Sequence, residues 1–319
     1  MQAFSGWYKE RDRPNGIFEV DEMRVVGVTW KLQDDETFMS GLRVWKDGDT
    51  PEFIPITTGE QLSLVFRSPR RCVGSVNSLL KSIRCPEDSI ILQRRNTRCG
   101  SCSAIDFVDP CIRCDGRTCL ATSDRRAQCD DTRYAVYLVV FNDETLKVGV
   151  SSEKRVRTRW VEQGADFGGV LHLVQGGINA RRIEDRLGKN PKVVKQVRGE
   201  RKIRGLMHKL NLDVAQSIVE DFILETESDE LGANVELEDL SSYYSLEDVD
   251  TRPHSWRSKN IPIDNRPLVG KVVGMKGSLL VTSLGSAFTV ADLKQVIGYR
   301  LDYDEDIILL TQSGLMDFF

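Results

Sequence analysis

The chain has 319 residues, 40% of them hydrophobic, with 44 lysines and arginines against 48 aspartates and glutamates. That is enough for roughly two to three ordinary cores, and no apolar run approaches the roughly 20 residues of a membrane span. The N-terminus, MQAFSGWYKERDRP, has aromatic and charged residues where a signal peptide needs an apolar stretch, so the cytoplasm is the expected compartment and no membrane is expected as a partner.

In chain order, MRVVGVTWKL, SGLRVWKD and GEQLSLVFR are short runs rich in Val, Leu, Phe and Trp, bounded by Gly, Asp and Pro. They predict strands, and residues 1–71 are expected to form a small N-terminal β-domain. All eight cysteines then fall between Cys72 and Cys129, spaced C-x12-C-x13-C-x2-C-x8-C-x2-C-x4-C-x9-C. The two C-x-x-C pairs, CGSC and CIRC, each let two thiolates of one tight turn face one ion, and a second pair completes a tetrahedron. In a reducing compartment this favours two structural zinc ions over disulfides, with an iron–sulfur cluster or redox thiols as competing chemistries. The sequential grouping puts Cys72, Cys85, Cys99 and Cys102 on one ion and Cys111, Cys114, Cys119 and Cys129 on the other; an interleaved grouping is the alternative. Arginines 67, 70, 71, 84, 94, 95 and 98 crowd this double zinc-finger region, residues 72–130. They read either as polyanion contacts or as a solvated basic face.

After Cys129, YAVYLVVFNDETLKVGVS predicts two strands joined by an Asn-Asp-Glu-Thr turn. Helices are expected over about 156–164 and over INARRIEDRLGKN, where Ile178, Ile183 and Leu187 recur at near-helical spacing. Between Lys154 and Lys209 there are 15 basic residues against 5 acidic ones. Arg155, Arg157, Arg181, Arg182, Lys195, Arg198, Arg201 and Lys202 are therefore candidate nucleic-acid contacts. From Asp213 to Asp250 there are 13 acidic residues and no basic ones. This acidic stretch, 213–250, predicts a helix and then a poorly ordered linker that folds over the basic surface or meets a basic protein partner. RPLVGKVVGMKGSLLVTS, IGYRLDY and DIILLTQSG predict a C-terminal β-domain over 256–319, and the histidines are dispersed.

The segment from Ala135-Val136-Tyr137 through Lys147-Val148-Gly149 to Arg159-Trp160 resembles the core of the GIY-YIG nucleases. That resemblance implies catalytic roles for Tyr137 as proton acceptor, Arg159 on the phosphate, and Glu184 holding Mg2+ or Mn2+ that stabilises the leaving oxygen. Lys147 stands where the superfamily has a second tyrosine. It either tunes Tyr137, binds phosphate, or marks a core that kept the fold and lost hydrolysis. More widely, RRCVG, CGSC, KVGVS with TRWVEQGA, and the late VGKVVGMKGSLLV resemble the domain-of-unknown-function family 2797. The resemblance implies zinc binding and a GIY-YIG-like segment.

The expected fold is α+β: an N-terminal β-domain at 1–71, four-cysteine zinc fingers at 72–130, a GIY-YIG-like α/β core at 131–212, an acidic helix and linker at 213–255, and the C-terminal β-domain. Three functions compete. The first is nucleic-acid binding, DNA or RNA, through a basic cleft. The others are a metal-dependent endonuclease and a protein-interaction scaffold.

Overall fold

The structure is a computed structural model that describes residues 22–197, 199–226, 235–257 and 262–303. Arg198 and the segment DIILLTQSG lie outside the described residues. The N-terminal strands are β1 (Met23–Leu32), β2 (Phe38–Trp45), β3 (Glu52–Pro55) and β4 (Gln61–Arg67). The cysteine-rich segment follows with β5 (Ser75–Val76), β6 (Ser82–Ile83) and the short helices α1 (Gly100–Ile105), α2 (Asp109–Ile112) and α3 (Ser123–Asp130). A central unit contains β7 (Arg133–Val140), β8 (Leu146–Ser152), α4 (Val156–Gln163), β9 (Phe167–Gln175) and α5 (Gly177–Leu187). Next come α6 (Gly199–Gly205), α7 (Leu212–Thr226), β10 (Glu238–Asp239) and β11 (His254–Ser255). The described chain closes with β12 (Leu268–Lys276), β13 (Leu279–Leu284), β14 (Ala287–Asp292) and β15 (Arg300–Tyr303).

The fold is mixed α+β and mostly sheet. The two terminal segments that the sequence separates into two β-domains build one nine-stranded sheet, in the order β11-β14-β13-β12-β4-β15-β1-β2-β3. β4 lies between β12 and β15, antiparallel to both, with Leu64 opposite both Leu268 and Tyr303. The separate N- and C-terminal domains are thus corrected to one layer. The cause is physical: neither strand set can satisfy its inner edge alone, and pairing across the chain removes both edges.

The second sheet runs β10-β9-β7-β8, antiparallel throughout. Strand alternation sorts β7 by face. Ala135, Tyr137 and Val139 join the core shared with the large sheet, together with Trp30, Trp160, Leu268 and Leu280. Val136, Leu138 and Val140 face α5 and α7, packing with Ile183, Leu187, Val219 and Phe222.

The region 235–250 also departs from expectation. Val235, Leu237, Leu240 and Tyr244 are buried, so this part of the expected linker is core. The alternation Val235-Glu236-Leu237-Glu238 puts apolar residues inward and carboxylates outward, which is a strand pattern within an acidic composition. Two carboxylates of the acidic stretch, part of which (227–234) lies outside the described residues, meet basic side chains: Glu238 accepts from Arg157 Nε and Nη2 at 2.9 and 2.7 Å, and Glu225 meets Lys192 at 2.6 Å.

Candidate functional site

The first four cysteines converge. The Sγ atoms of Cys72, Cys85, Cys99 and Cys102 all lie within 4.8 Å of one another, so this cluster can hold a metal ion such as zinc. Backbone amides point at the sulfurs. Cys99 N and Gly74 N donate to Cys72 Sγ at 3.2 and 3.4 Å, and Cys102 N donates to Cys99 Sγ at 3.4 Å. Such donors stabilise thiolate, the form that binds metal. Burial pushes the Cys85 thiol up, but hydrogen bonds from Ser89 and the Glu87 backbone outweigh it and bring the thiol to about 7. Burial raises Cys72 and Cys102 as free thiols, a strain that a bound cation would relieve.

The second four do not gather in this way among the described residues. Arg125 Nε of α3 donates to Cys111 Sγ at 3.2 Å and the Tyr134 hydroxyl of β7 donates to Cys129 Sγ at 3.7 Å, so two of these four sulfurs are met by other side chains. Several of the crowded arginines bond groups of the cysteine-rich segment or of the loops beside it. Arg70 Nε donates to Ile297 O at 2.8 Å, Arg98 Nε to Gly74 O at 2.9 Å, and Arg71 pairs with Asp88 at 2.9 Å.

Tyr137, Lys147, Arg159 and Glu184 come together, and the hub that joins three of them is Gln163, at the end of α4. Gln163 Nε2 donates to the Tyr137 hydroxyl at 2.6 Å and to Arg159 O at 3.3 Å. Lys147 Nζ donates to Gln163 Oε1, and Lys202 Nζ donates to the Gln163 main-chain oxygen at 2.6 Å. An ammonium can only donate, so the amide oxygen faces Lys147 and the amide NH2 is left for the phenol. The Tyr137 ring lies against its cross-strand partner Gly149, where a Cβ would come within 2.5 Å of the phenol carbon and oxygen. Only glycine allows that approach.

Burial raises the Tyr137 phenol above its usual value, against the opposing pull of Arg159 and Gln163. Burial first, then the neighbouring Arg159, lowers the Lys147 ammonium to about 8. Burial, with Lys294 and Lys147 alongside, lowers Lys202 to about 7. Glu184 lies within electrostatic reach of both Tyr137 and Lys147, and its carboxylate accepts from Arg181 Nη1 at 2.6 Å. Arg159 is half-exposed and meets Glu162 at 3.3 Å.

The other basic candidates divide by what they touch. Arg157 is an internal clamp on Glu238 and on the Tyr243 hydroxyl at 3.0 Å, and Lys202 is a member of the Gln163 cluster. Arg155 meets Glu162 at 3.0 Å, Arg201 meets Asp143 at 2.6 Å, and Arg182 Nε donates to Gly116 O at 2.9 Å. Lys195 is exposed.

Sequence reading missed Gln163 and a second feature, the pair Lys276–Asp166. Both residues are buried and their side chains are bonded directly, while Asp166 Oδ2 also accepts Asn142 N at 2.7 Å. Burial raises the Asp166 carboxyl, with Lys276 opposing it. The signal for both was present in the QGA and GMKG stretches. Gly277 packs on Gly164, where a Cβ on Gly277 would stand 2.8 Å from Gly164 N, and Trp30 Nε1 donates to Gly277 O at 2.7 Å. That contact docks the β12–β13 turn on the end of α4.

Among the described residues no helix is long and apolar enough to cross a membrane. No curated protein and no solved structure matches the chain. The family model described as "Protein of unknown function (DUF2797)" matches residues 59–301, most of the chain, and the chain belongs to that family.

Proposed function

For this member of a family whose description assigns no activity, we propose a zinc-containing nucleic-acid-binding protein. Its GIY-YIG-like segment grips phosphates through the cations around Gln163 and does not hydrolyse them. The carrying observation is that two ammonium groups, Lys147 and Lys202, are held by the neutral oxygens of one glutamine with Arg159 beside them. Charges so placed gain from a bound phosphate, which returns both lysines to the charged form. Zinc on Cys72, Cys85, Cys99 and Cys102 holds the cysteine-rich segment together as a structural ion.

Two features favour binding over cleavage. The Tyr137 oxygen is buried and already accepts from Gln163, so a water molecule has no free phenolate to give its proton to. Glu184 is engaged by Arg181, which competes with a divalent metal for the carboxylate. The second reading, an endonuclease using Mg2+ or Mn2+ on Glu184, draws support from the convergence of Tyr137, Arg159 and Glu184.

The test mixes the full chain with labelled single-stranded RNA and DNA at rising salt, with Mg2+ or Mn2+, beside Arg159→Ala and Glu184→Ala. We expect salt-dependent affinity, weakened in Arg159→Ala and unchanged in Glu184→Ala, with intact strands throughout. Cleavage lost in both variants would establish the endonuclease. Salt-insensitive or absent binding would overturn both readings.

A further inference from the structure

Three lysines from three separate elements gather around Gln163, and one of them, Lys294, comes from the turn after β14 of the large sheet. Lys147 of β8 and Lys202 of α6 donate to the side-chain and main-chain oxygens of Gln163. The start of α6 lies against the end of β14, where a Cβ on Gly199 would stand 3.6 Å from Asp292 Oδ2. Asp292 Oδ1 accepts from Ser278 Oγ at 2.8 Å and from Lys294 N at 3.1 Å, which fixes the turn that carries Lys294. The Lys294 side chain is exposed, with no hydrogen-bond or ion-pair partner among the described residues, and its charge acts on both Lys147 and Lys202.

We infer that this cluster receives the terminal phosphate of a nucleic-acid strand, a phosphomonoester, in preference to the diesters within the strand; the inference rests on the proposed phosphate reading and narrows it. Charge separates the two ligands. The neighbouring guanidiniums are answered, Arg159 by Glu162 at 3.3 Å and Arg181 by Glu184 at 2.6 Å, and the Lys276 ammonium is taken by Asp166. Lys147, Lys202 and Lys294 then share one further carboxylate, Asp292, an excess of at least two positive charges. A diester brings a single negative charge, whereas a terminal monoester brings about 1.5 to 2 at pH 7 and three unesterified oxygens. Three ammonium groups, which can only donate, match those three acceptors.

The surroundings also fit a strand end. Behind Lys202 the packing closes to a gap of about 10 Å³, room for one water, bordered by Asn142, Asp166 and Lys276. A phosphate that enters from the Lys294 side meets this closed floor, and a diester at the same depth would carry a second sugar into it. Burial favours the neutral amines of Lys147 and Lys202, and a dianion restores their charge more strongly than a monoanion does.

Calorimetric titration of the full chain with one single-stranded sequence, as RNA and as DNA, tests the assignment. Each is prepared with hydroxyls at both ends, with a 5′-phosphate, and with a 3′-phosphate. At least one phosphorylated form is expected to bind about tenfold tighter than the hydroxyl form, the order of one added charge-assisted hydrogen bond. Methylating that terminal phosphate, which makes it a diester in place, should erase the gain. Lys294→Gln should bring the phosphorylated and hydroxyl forms to within about threefold of each other, while Lys294→Arg, which keeps the charge at an exposed position, should preserve the gain. Equal affinity of all forms, still weakened by salt, overturns the terminal-phosphate assignment and leaves the phosphate reading standing, whereas absent binding removes both. A gain that survives methylation or Lys294→Gln overturns the assignment as well. So does a nucleoside monophosphate that binds as tightly as the phosphorylated strand, which would make the ligand a free nucleotide.

Discussion

One buried and two half-buried lysines stand side by side with opposite solutions to the same problem. Lys276 is paired with a carboxylate, Asp166, and the pair is sealed between the two sheets. Lys147 and Lys202 donate to the carbonyl oxygens of Gln163, with Glu184 and Asp292 acting only at a distance, and burial leaves them at about 8 and about 7. A matched pair is finished structure, because its charge is answered inside the chain. Cations answered by a neutral amide are poised for an anion from outside. That difference separates the positions that hold the molecule together from those offered to a ligand.

The largest expected break is Lys276→Met, which leaves Asp166 buried without its cation and should cost about 3–5 kcal/mol in denaturant unfolding. Lys147→Met is the sharpening control: it replaces a poorly compensated ammonium with an apolar chain of similar length, so stability should hold or rise. In the same variant, strand affinity should fall about tenfold, the value of one charge-assisted hydrogen bond of roughly 1.5 kcal/mol. If both variants unfold equally easily, the contrast between the two environments is lost.

Acidity gives a smaller, graded effect. The folded values of Lys147 and Lys202 lie below the ordinary lysine value of 10.5. Between the folded and ordinary values the unfolded chain therefore binds more protons than the folded one, and unfolding free energy rises with pH. The free protein should become more stable from about pH 7 toward 10, by thermal or urea melts, while strand affinity falls as the amines lose charge. Stability that declines over that window would show that the amines are not depressed. The smallest effect is expected from Tyr137→Phe. It removes one buried hydrogen bond with Gln163, about 1 kcal/mol, and should leave strand affinity unchanged.

The local parts of this site were readable in the sequence. The hairpin at Tyr137 and Lys147, the helix carrying Arg159 and the helix carrying Glu184 follow from alternation and helical spacing, and they formed as β7, β8, α4 and α5. β9 was hidden because Gly168 and Gly169 dilute its pattern, and Gly168 is there so that the Trp160 ring can lie against the strand. The nine-stranded sheet was hidden because its central pairings join residues such as Leu64 and Leu268, which local periodicity cannot link. Gln163 looked like an ordinary helix-end residue until the fold brought Tyr137, Lys147 and Lys202 to its two oxygens and its amide nitrogen. The CGSC pair and its upstream partners were legible from spacing, whereas the CIRC half shared the spacing and not the convergence. Spacing permits a metal site, and amide donors aimed at the sulfurs distinguish the cluster that forms.

Proton linkage on binding tests the central claim most directly. Titrating a phosphate-rich abasic strand into the full chain at pH 8, in buffers of different ionisation enthalpy, counts the protons taken up. Net uptake that vanishes in the Lys147→Met variant combined with Lys202→Met is the predicted result. Binding with no proton uptake, or uptake unchanged in that double variant, would contradict the claim that these two amines wait for a phosphate.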